Sequence, residues 1–279
     1  MPFAPKLPAH GAAIPAIGFG TSAMGGSDVR AEHVAAALKA GYRHIDTAWK
    51  YGTERAVGEG MRASGVPRRD IFLCTKVSHE YLHAADFARS VDESLTALGV
   101  DYVDLLLVHW PEKNTPLAET MGALAKAKRQ GLTRHIGVAN FNIAMLDEAI
   151  RLCPEPLVTL QAECHPYLDQ TKVIEACRKR GLVLTAYCPL ARGRLNGDVV
   201  LADIARRTGK TFAQVALRWL MQQEIIAAIP RSSNLTRIAE NIDVFDFALS
   251  DDDMRRINAL RRADGRIADP VGRAPPWDV

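Results

Sequence analysis

Eight short apolar runs alternate with amphipathic helical runs along the chain, and few architectures accommodate that order. The apolar runs cover residues 17–20, 43–46, 71–76, 103–108, 133–138, 158–163, 183–186 and 225–229. The run at 103–108, Val-Asp-Leu-Leu-Leu-Val, is nearly all apolar, as a strand buried on both faces should be. Helical periodicity covers 29–40, 54–64, 84–98, 117–130, 143–152, 170–180, 199–208, 212–223, 235–241 and 251–260. Strands separated by helices imply parallel pairing through right-handed crossovers. The count predicts an α/β fold, a closed (β/α)8 TIM barrel, rather than an open doubly wound sheet. The stretch Gly20-Thr-Ser-Ala-Met-Gly-Gly also lacks the G-x-G-x-x-G spacing that an open dinucleotide fold would place there.

A barrel of roughly 250 residues accommodates all 279 as a single domain. Two short runs at 6–8 and 12–14 around His10-Gly11 predict an N-terminal hairpin. The proline-bearing tail after Leu260 reads as an irregular segment lying over the barrel. A net charge of +3, dispersed along the sequence, gives no basic tract for nucleic acid or membrane surfaces. No stretch approaches the ~20 apolar residues of a membrane span, and the N-terminus lacks the apolar run of a signal peptide. Five cysteines without C-x-x-C spacing read as free thiols in a reducing cytoplasm. A monomer is the default expectation, because no long apolar surface helix demands a partner.

A barrel brings the C-terminal ends of all its strands to one rim, where such folds keep their chemistry. The second strand ends at Asp46, with Tyr51 in the loop beyond, and the third carries Lys76. The fourth leads into His109 and Trp110, and the fifth gives Asn140. The sixth gives Gln161 and Glu163 with His165 following, the seventh Tyr187, and the eighth Arg231 and Ser232. Each has a structural alternative alone; their joint placement singles out this rim as the site.

Several motifs then resemble the aldo-keto reductase family. Asp46-Thr-Ala-Trp-Lys-Tyr51-Gly-Thr-Glu, Lys76 in Leu-Cys-Thr-Lys, and His109 in Leu-Leu-Leu-Val-His-Trp-Pro look like its catalytic tetrad. Gly137-Val-Ala-Asn-Phe141, Gln161-Ala-Glu-Cys-His-Pro166, Ala186-Tyr-Cys-Pro-Leu190 and Ile229-Pro-Arg-Ser232 extend the match. It runs from about Gly18 to Leu260, and the short loops resemble the prokaryotic diketogluconate reductase branch.

Carbonyl reduction delivers hydride to carbon and a proton to oxygen, and no side chain donates a hydride. A tyrosine with an ordinary pKa of ~10 needs a neighbouring cation to serve as the acid at neutral pH. Lys76 is expected to be that cation for Tyr51, with Asp46 holding it and a neutral His109 orienting the substrate oxygen. The cofactor implied is NADPH/NADP+, with NADH left open. On the resemblance, Tyr187 stacks on the nicotinamide while Asn140 and Gln161 bond its carboxamide. Arg231, Ser232 and Arg237 clamp the 2′-phosphate, and a guanidinium suits a dianionic phosphate. Glu240 and Asn241 contact adenine, Leu190, Arg192 and Gly193 lie along the pyrophosphate, and Gly20 and Thr21 complete the cofactor set. Trp49 and Trp110, joined by His109, are expected to line the end that takes a small carbonyl substrate. Trp277 and Tyr81 are further candidates for an apolar wall.

Three positions depart from the family pattern. Ala139 stands where serine is common, Arg231 where lysine is usual, and Thr53 where asparagine is frequent. Two rival readings exist: a weakly catalytic NADP(H)-binding sensor, and a metal-dependent barrel using Asp46, His109, Glu163 and His165. The metal reading leaves Tyr51 and Lys76 without a role and sets a cation beside a metal ion. No metal is therefore expected. The physiological carbonyl substrate is not legible in the sequence.

Overall fold

The computed structural model describes residues 4–22 and 29–278. The Ala23–Gly26 part of the glycine-bearing stretch lies outside the described residues. The chain opens with an antiparallel hairpin, β1 (Lys6–Ala9) and β2 (Ala12–Pro15), turning at His10-Gly11. Eight parallel strands follow: β3 (Phe19–Gly20), β4 (His44–Asp46), β5 (Phe72–Val77), β6 (Val103–Val108), β7 (Thr133–Ala139), β8 (Leu157–Glu163), β9 (Val183–Tyr187) and β10 (Ile226–Ala228). They lie in sequence order, β3 through β10, in one sheet. Closure comes from a parallel bridge between Ile17 and Ala228. There Gly18 N–H donates to the Ala228 carbonyl at 2.8 Å, Ala228 N–H to Ala16 at 2.8 Å, and Gly20 N–H to Pro230 at 3.0 Å. The sheet thus curls into a (β/α)8 barrel, as the alternation predicts.

Alternation along each strand sorts its side chains. On β5, Leu73 and Val77 face the helical layer, whereas Cys74 faces the barrel interior with Leu105 and Leu107 of β6. The interior cluster also takes in Ala9, Ala12 and Ile14 of the hairpin. The hairpin therefore plugs the N-terminal mouth, and the C-terminal mouth is left for the site. Gly137 is required by packing: a Cβ there would lie 2.6 Å from the Thr159 carbonyl oxygen of β8.

The helices are α1 (Ala31–Lys39), α2 (Glu54–Ser64), α3 (Ala84–Leu98), α4 (Leu117–Arg129), α5 (Ile143–Leu152), α6 (Thr171–Lys179), α7 (Val199–Thr208), α8 (Phe212–Met221), α9 (Leu235–Ile242) and α10 (Asp251–Asn258). Four of these match the predicted boundaries at both ends. For α3 the stop is Gly99, at φ 67. The first strand is shorter than expected: residue 17 contributes only the closing bridge, and the ladder proper begins at Phe19. Four single 3-10 turns were not predicted, among them Trp49–Tyr51 and Ala191–Gly193. None of the described helices is long and apolar enough to cross a membrane. Among the described residues after α10 there is no helix or strand, and this tail runs across the C-terminal mouth.

Candidate active site

Asp46, Lys76 and His109 sit at or just beyond the ends of β4, β5 and β6, three neighbours in the sheet. Lys76 is fully buried, and its Nζ donates to Asp46 Oδ1 at 2.6 Å and to the Thr47 carbonyl at 2.7 Å. Gln161 of β8 reaches across the barrel, its Nε2 donating to Asp46 Oδ2 at 2.8 Å. Both carboxylate oxygens are thereby occupied, which fixes the ammonium. Tyr51 ends the 3-10 turn Trp49–Tyr51, which Gly52 closes at φ 66. That turn is pinned from behind: buried Glu54 accepts the Thr75 hydroxyl at 2.5 Å, tying the start of α2 to the strand that carries Lys76. The Lys76 ammonium lies 5.1 Å from the Tyr51 ring centroid, and the His109 ring meets Tyr51 edge-on at 5.4 Å.

Electrostatics assign the protonation states. Burial pushes the Tyr51 phenol above its ordinary value, and the Lys76 charge pulls it back only in part. In this packing burial wins, so the phenol holds its proton throughout the neutral range. Burial opposes the charge on Lys76, but Asp46, Tyr51 and Cys74 together outweigh it and raise the ammonium above the usual lysine range. Burial, then the Lys76 and Arg273 charges, force His109 well below the imidazole range. The site therefore presents a neutral phenol, a neutral imidazole and a fixed cation.

These groups open onto a cleft of about 1490 Å³ at the C-terminal mouth. Asp46, Tyr51 and His109 line it, whereas Lys76 lies behind them. All thirteen residues expected to contact cofactor line it: Gly20, Thr21, Asn140, Gln161, Tyr187, Leu190, Arg192, Gly193, Arg231, Ser232, Arg237, Glu240 and Asn241. Asn140, at φ 63, donates from Nδ2 to the His109 carbonyl at 2.9 Å. Its Oδ1 accepts the Tyr187 hydroxyl at 2.7 Å. Arg231 carries two buried nitrogens, Nε and Nη2, with no hydrogen-bond partner among the described residues. An orphaned guanidinium edge in a cleft is costly unless an anion completes it, so this end fits a phosphate.

The expected substrate residues divide. Trp110 lines the cleft, and Trp277 of the tail meets it edge-on at 6.2 Å. Trp49 does not line the cleft: its indole packs on Tyr81 at 4.8 Å, and Nε1–H donates to Glu93 at 3.0 Å. The 3-10 turn rotates Trp49 away from the face that carries Tyr51, and that places it outside the substrate end. Glu163 and His165 likewise do not line the cleft and pair with each other at 2.8 Å. Asp46 is committed to Lys76, and no cluster of three or more His, Cys, Asp or Glu that could hold a metal occurs among the described residues. Sequence reasoning missed Lys50, Lys210 and, within the tail expected over the barrel, Ile267 to Pro270 with Arg273, all of which line the cleft. Lys50 adjoins Tyr51 in sequence, which was an available signal; the tail has no periodicity to announce it.

Comparison with known proteins bears on the chain as a whole. A family model described as the aldo/keto reductase family matches residues 16–262. The methylglyoxal reductase DkgB of Escherichia coli O157:H7 is 41% identical over 269 residues, covering 95% of this chain and 100% of that protein. A solved structure provisionally described as a 2,5-diketo-D-gluconic acid reductase B superposes with a TM-score of 0.95 at 46% identity, covering 99% of this chain and 98% of that one. A Bombyx mori aldo-keto reductase solved in complex with NADP gives a TM-score of 0.89 at 31% identity, covering 97% and 96%.

Proposed function

The chain belongs to the aldo/keto reductase family, and on that premise we propose that it reduces small aldehydes and ketones to alcohols with NADPH, Tyr51 donating the proton. The observation that carries this reading is the fully buried Lys76 ammonium, held by Asp46 and lying 5.1 Å from the Tyr51 ring. When bound, the reduced nicotinamide supplies the hydride, which no side chain of the protein can. Tyr51 gives its proton to the substrate oxygen, and Lys76 stabilises the phenolate left behind. Asp46 keeps Lys76 charged and in place. Neutral His109 donates a hydrogen bond that aligns the carbonyl oxygen beside Tyr51.

Asn140 and Gln161 would hold the carboxamide, and Tyr187 would lie against the nicotinamide ring. Arg192, Gly193 and Leu190 would flank the pyrophosphate, and Glu240 with Asn241 would receive adenine. Arg231, Ser232 and Arg237 take the 2′-phosphate, which would complete the orphaned edge of Arg231. Small dicarbonyls are the first substrates to try, because the E. coli relative is named a methylglyoxal reductase.

Two experiments test this reading. NADPH oxidation with methylglyoxal, glyoxal and a nitrobenzaldehyde should proceed with measurable turnover. Tight NADPH binding without turnover on any of them would identify a sensor instead. Arg237→Ala should weaken NADPH by about ten- to a hundredfold, the worth of a hydrogen bond to a charged group, and NADH by far less. An equal loss for both cofactors would refute the phosphate clamp.

A further inference from the structure

Among the described residues beyond α10 the tail has no helix or strand, yet a buried carboxylate holds its middle. Glu163, fully buried at the end of β8, accepts the Ile267 N–H on Oε1 and the Ala268 N–H on Oε2, both at 2.7 Å. His165, also fully buried, adds a third contact, its Nε2 lying 2.8 Å from Oε1. The reaction argued above uses neither residue. What they hold is nonetheless part of the site: Ile267 and Ala268 line the cleft, followed by Asp269, Pro270 and Arg273. Farther on, Trp277 packs against Trp110, the residue after His109. The distal end is tied separately, Asn142 Nδ2 donating to the Pro276 carbonyl at 2.9 Å and Ile143 N–H to Asp278 at 2.8 Å.

An ionised carboxylate is the side chain suited to this geometry. It accepts through two oxygens at once, and two consecutive peptide N–H groups need two acceptors. A carboxamide would satisfy one of them and turn its own N–H toward the other. An apolar side chain would satisfy neither.

We propose that Glu163 is a positioning residue: it latches the backbone at Ile267 and Ala268 and so sets the tail wall against which the carbonyl substrate is held. What the wall does to a substrate rests on the reductase reading; the latch itself does not.

Hydrogen exchange on the unmodified protein and on Glu163→Gln tests the latch without any need for turnover. The 267–268 amides should exchange slowly in the unmodified protein and rapidly in the variant. Native-state trypsin should cut after Arg266 or Arg273 about tenfold faster in Glu163→Gln, as expected for a lost charge-assisted hydrogen bond. In steady state the variant should raise KM for methylglyoxal about tenfold while kcat and the NADPH Kd stay within about threefold, the pattern of lost uniform binding. Rapid exchange of both amides in the unmodified protein overturns the latch, even if the variant fails to fold. Lower thermal stability with unchanged KM and unchanged tail cleavage overturns it too, since that is a purely structural role. Should the unmodified protein turn over no carbonyl at all, the reductase reading falls, and the exchange and trypsin results still decide the latch.

Discussion

Tyr51→Phe should lower kcat for carbonyl reduction by about 10²- to 10⁴-fold, the range that a positioned general acid contributes. The substitution removes one oxygen and leaves the ring, so its contacts with Lys76 and His109 persist. NADPH should still quench tryptophan fluorescence with unchanged affinity, because the phenol is not among the residues assigned to the cofactor. The pH profile adds a second check. Burial raises the Tyr51 phenol above its ordinary 10.0, so the acid is protonated at every lower pH and is lost only as pH rises through the higher value. Burial and nearby cations lower His109 below 6.5, so the imidazole is neutral at 6.5 and is lost as a neutral donor only in stronger acid. Reduction by the unmodified protein should therefore run nearly flat from pH 6.5 to 10. A variant rate close to that of the unmodified protein would remove Tyr51 from the acid role. A midpoint near pH 7 in the unmodified protein would contradict the electrostatics.

How much of this was legible beforehand depended on which signal each element sends. The nearly all-apolar β6 and the long periodic α3 announce their limits, because burial on both faces and a terminal glycine leave marks in the sequence. The first strand does not: in Ile17-Gly-Phe-Gly20 half the positions have no side chain to show periodicity, and the closure of the barrel rests on backbone bonds there. Strand order also explains why the Asp46, Lys76 and His109 cluster could be anticipated. Neighbouring parallel strands bring their C-terminal ends together whatever the loops do. Rotation about a short turn carries no comparable signal. Trp49 precedes Tyr51 by two residues, yet the 3-10 turn points it at Glu93 and Tyr81. The protonation of Tyr51 was not legible for a related reason, since a sequence shows that a lysine is near but not how deeply the phenol is packed. The tail was expected over the barrel, but its anchor was hidden, because that anchor joins a side chain to peptide groups 104 and 105 positions away, and any residues could supply those peptides.

Lys76→Met should abolish measurable turnover and also destabilise the fold by about 3–5 kcal/mol, the cost of leaving one member of a buried ion pair unpaired. Asp46 is 2% exposed, and the substitution would leave its carboxylate with the Gln161 donor but without the ammonium. Adding Asp46→Asn to Lys76→Met should recover much of that stability, since the uncompensated charge is gone and the methionine replaces a fully buried stem of similar length. It should recover none of the turnover, because nothing remains to stabilise the Tyr51 phenolate. Residues in direct contact are where additivity fails, so the double variant separates the two roles. Urea unfolding and kcat measured on both single variants and the double one make the cycle. A loss below about 1 kcal/mol for Lys76→Met would mean the pair is worth no more than a surface contact. Turnover returning in the double variant would show that the ammonium is not what makes Tyr51 an acid.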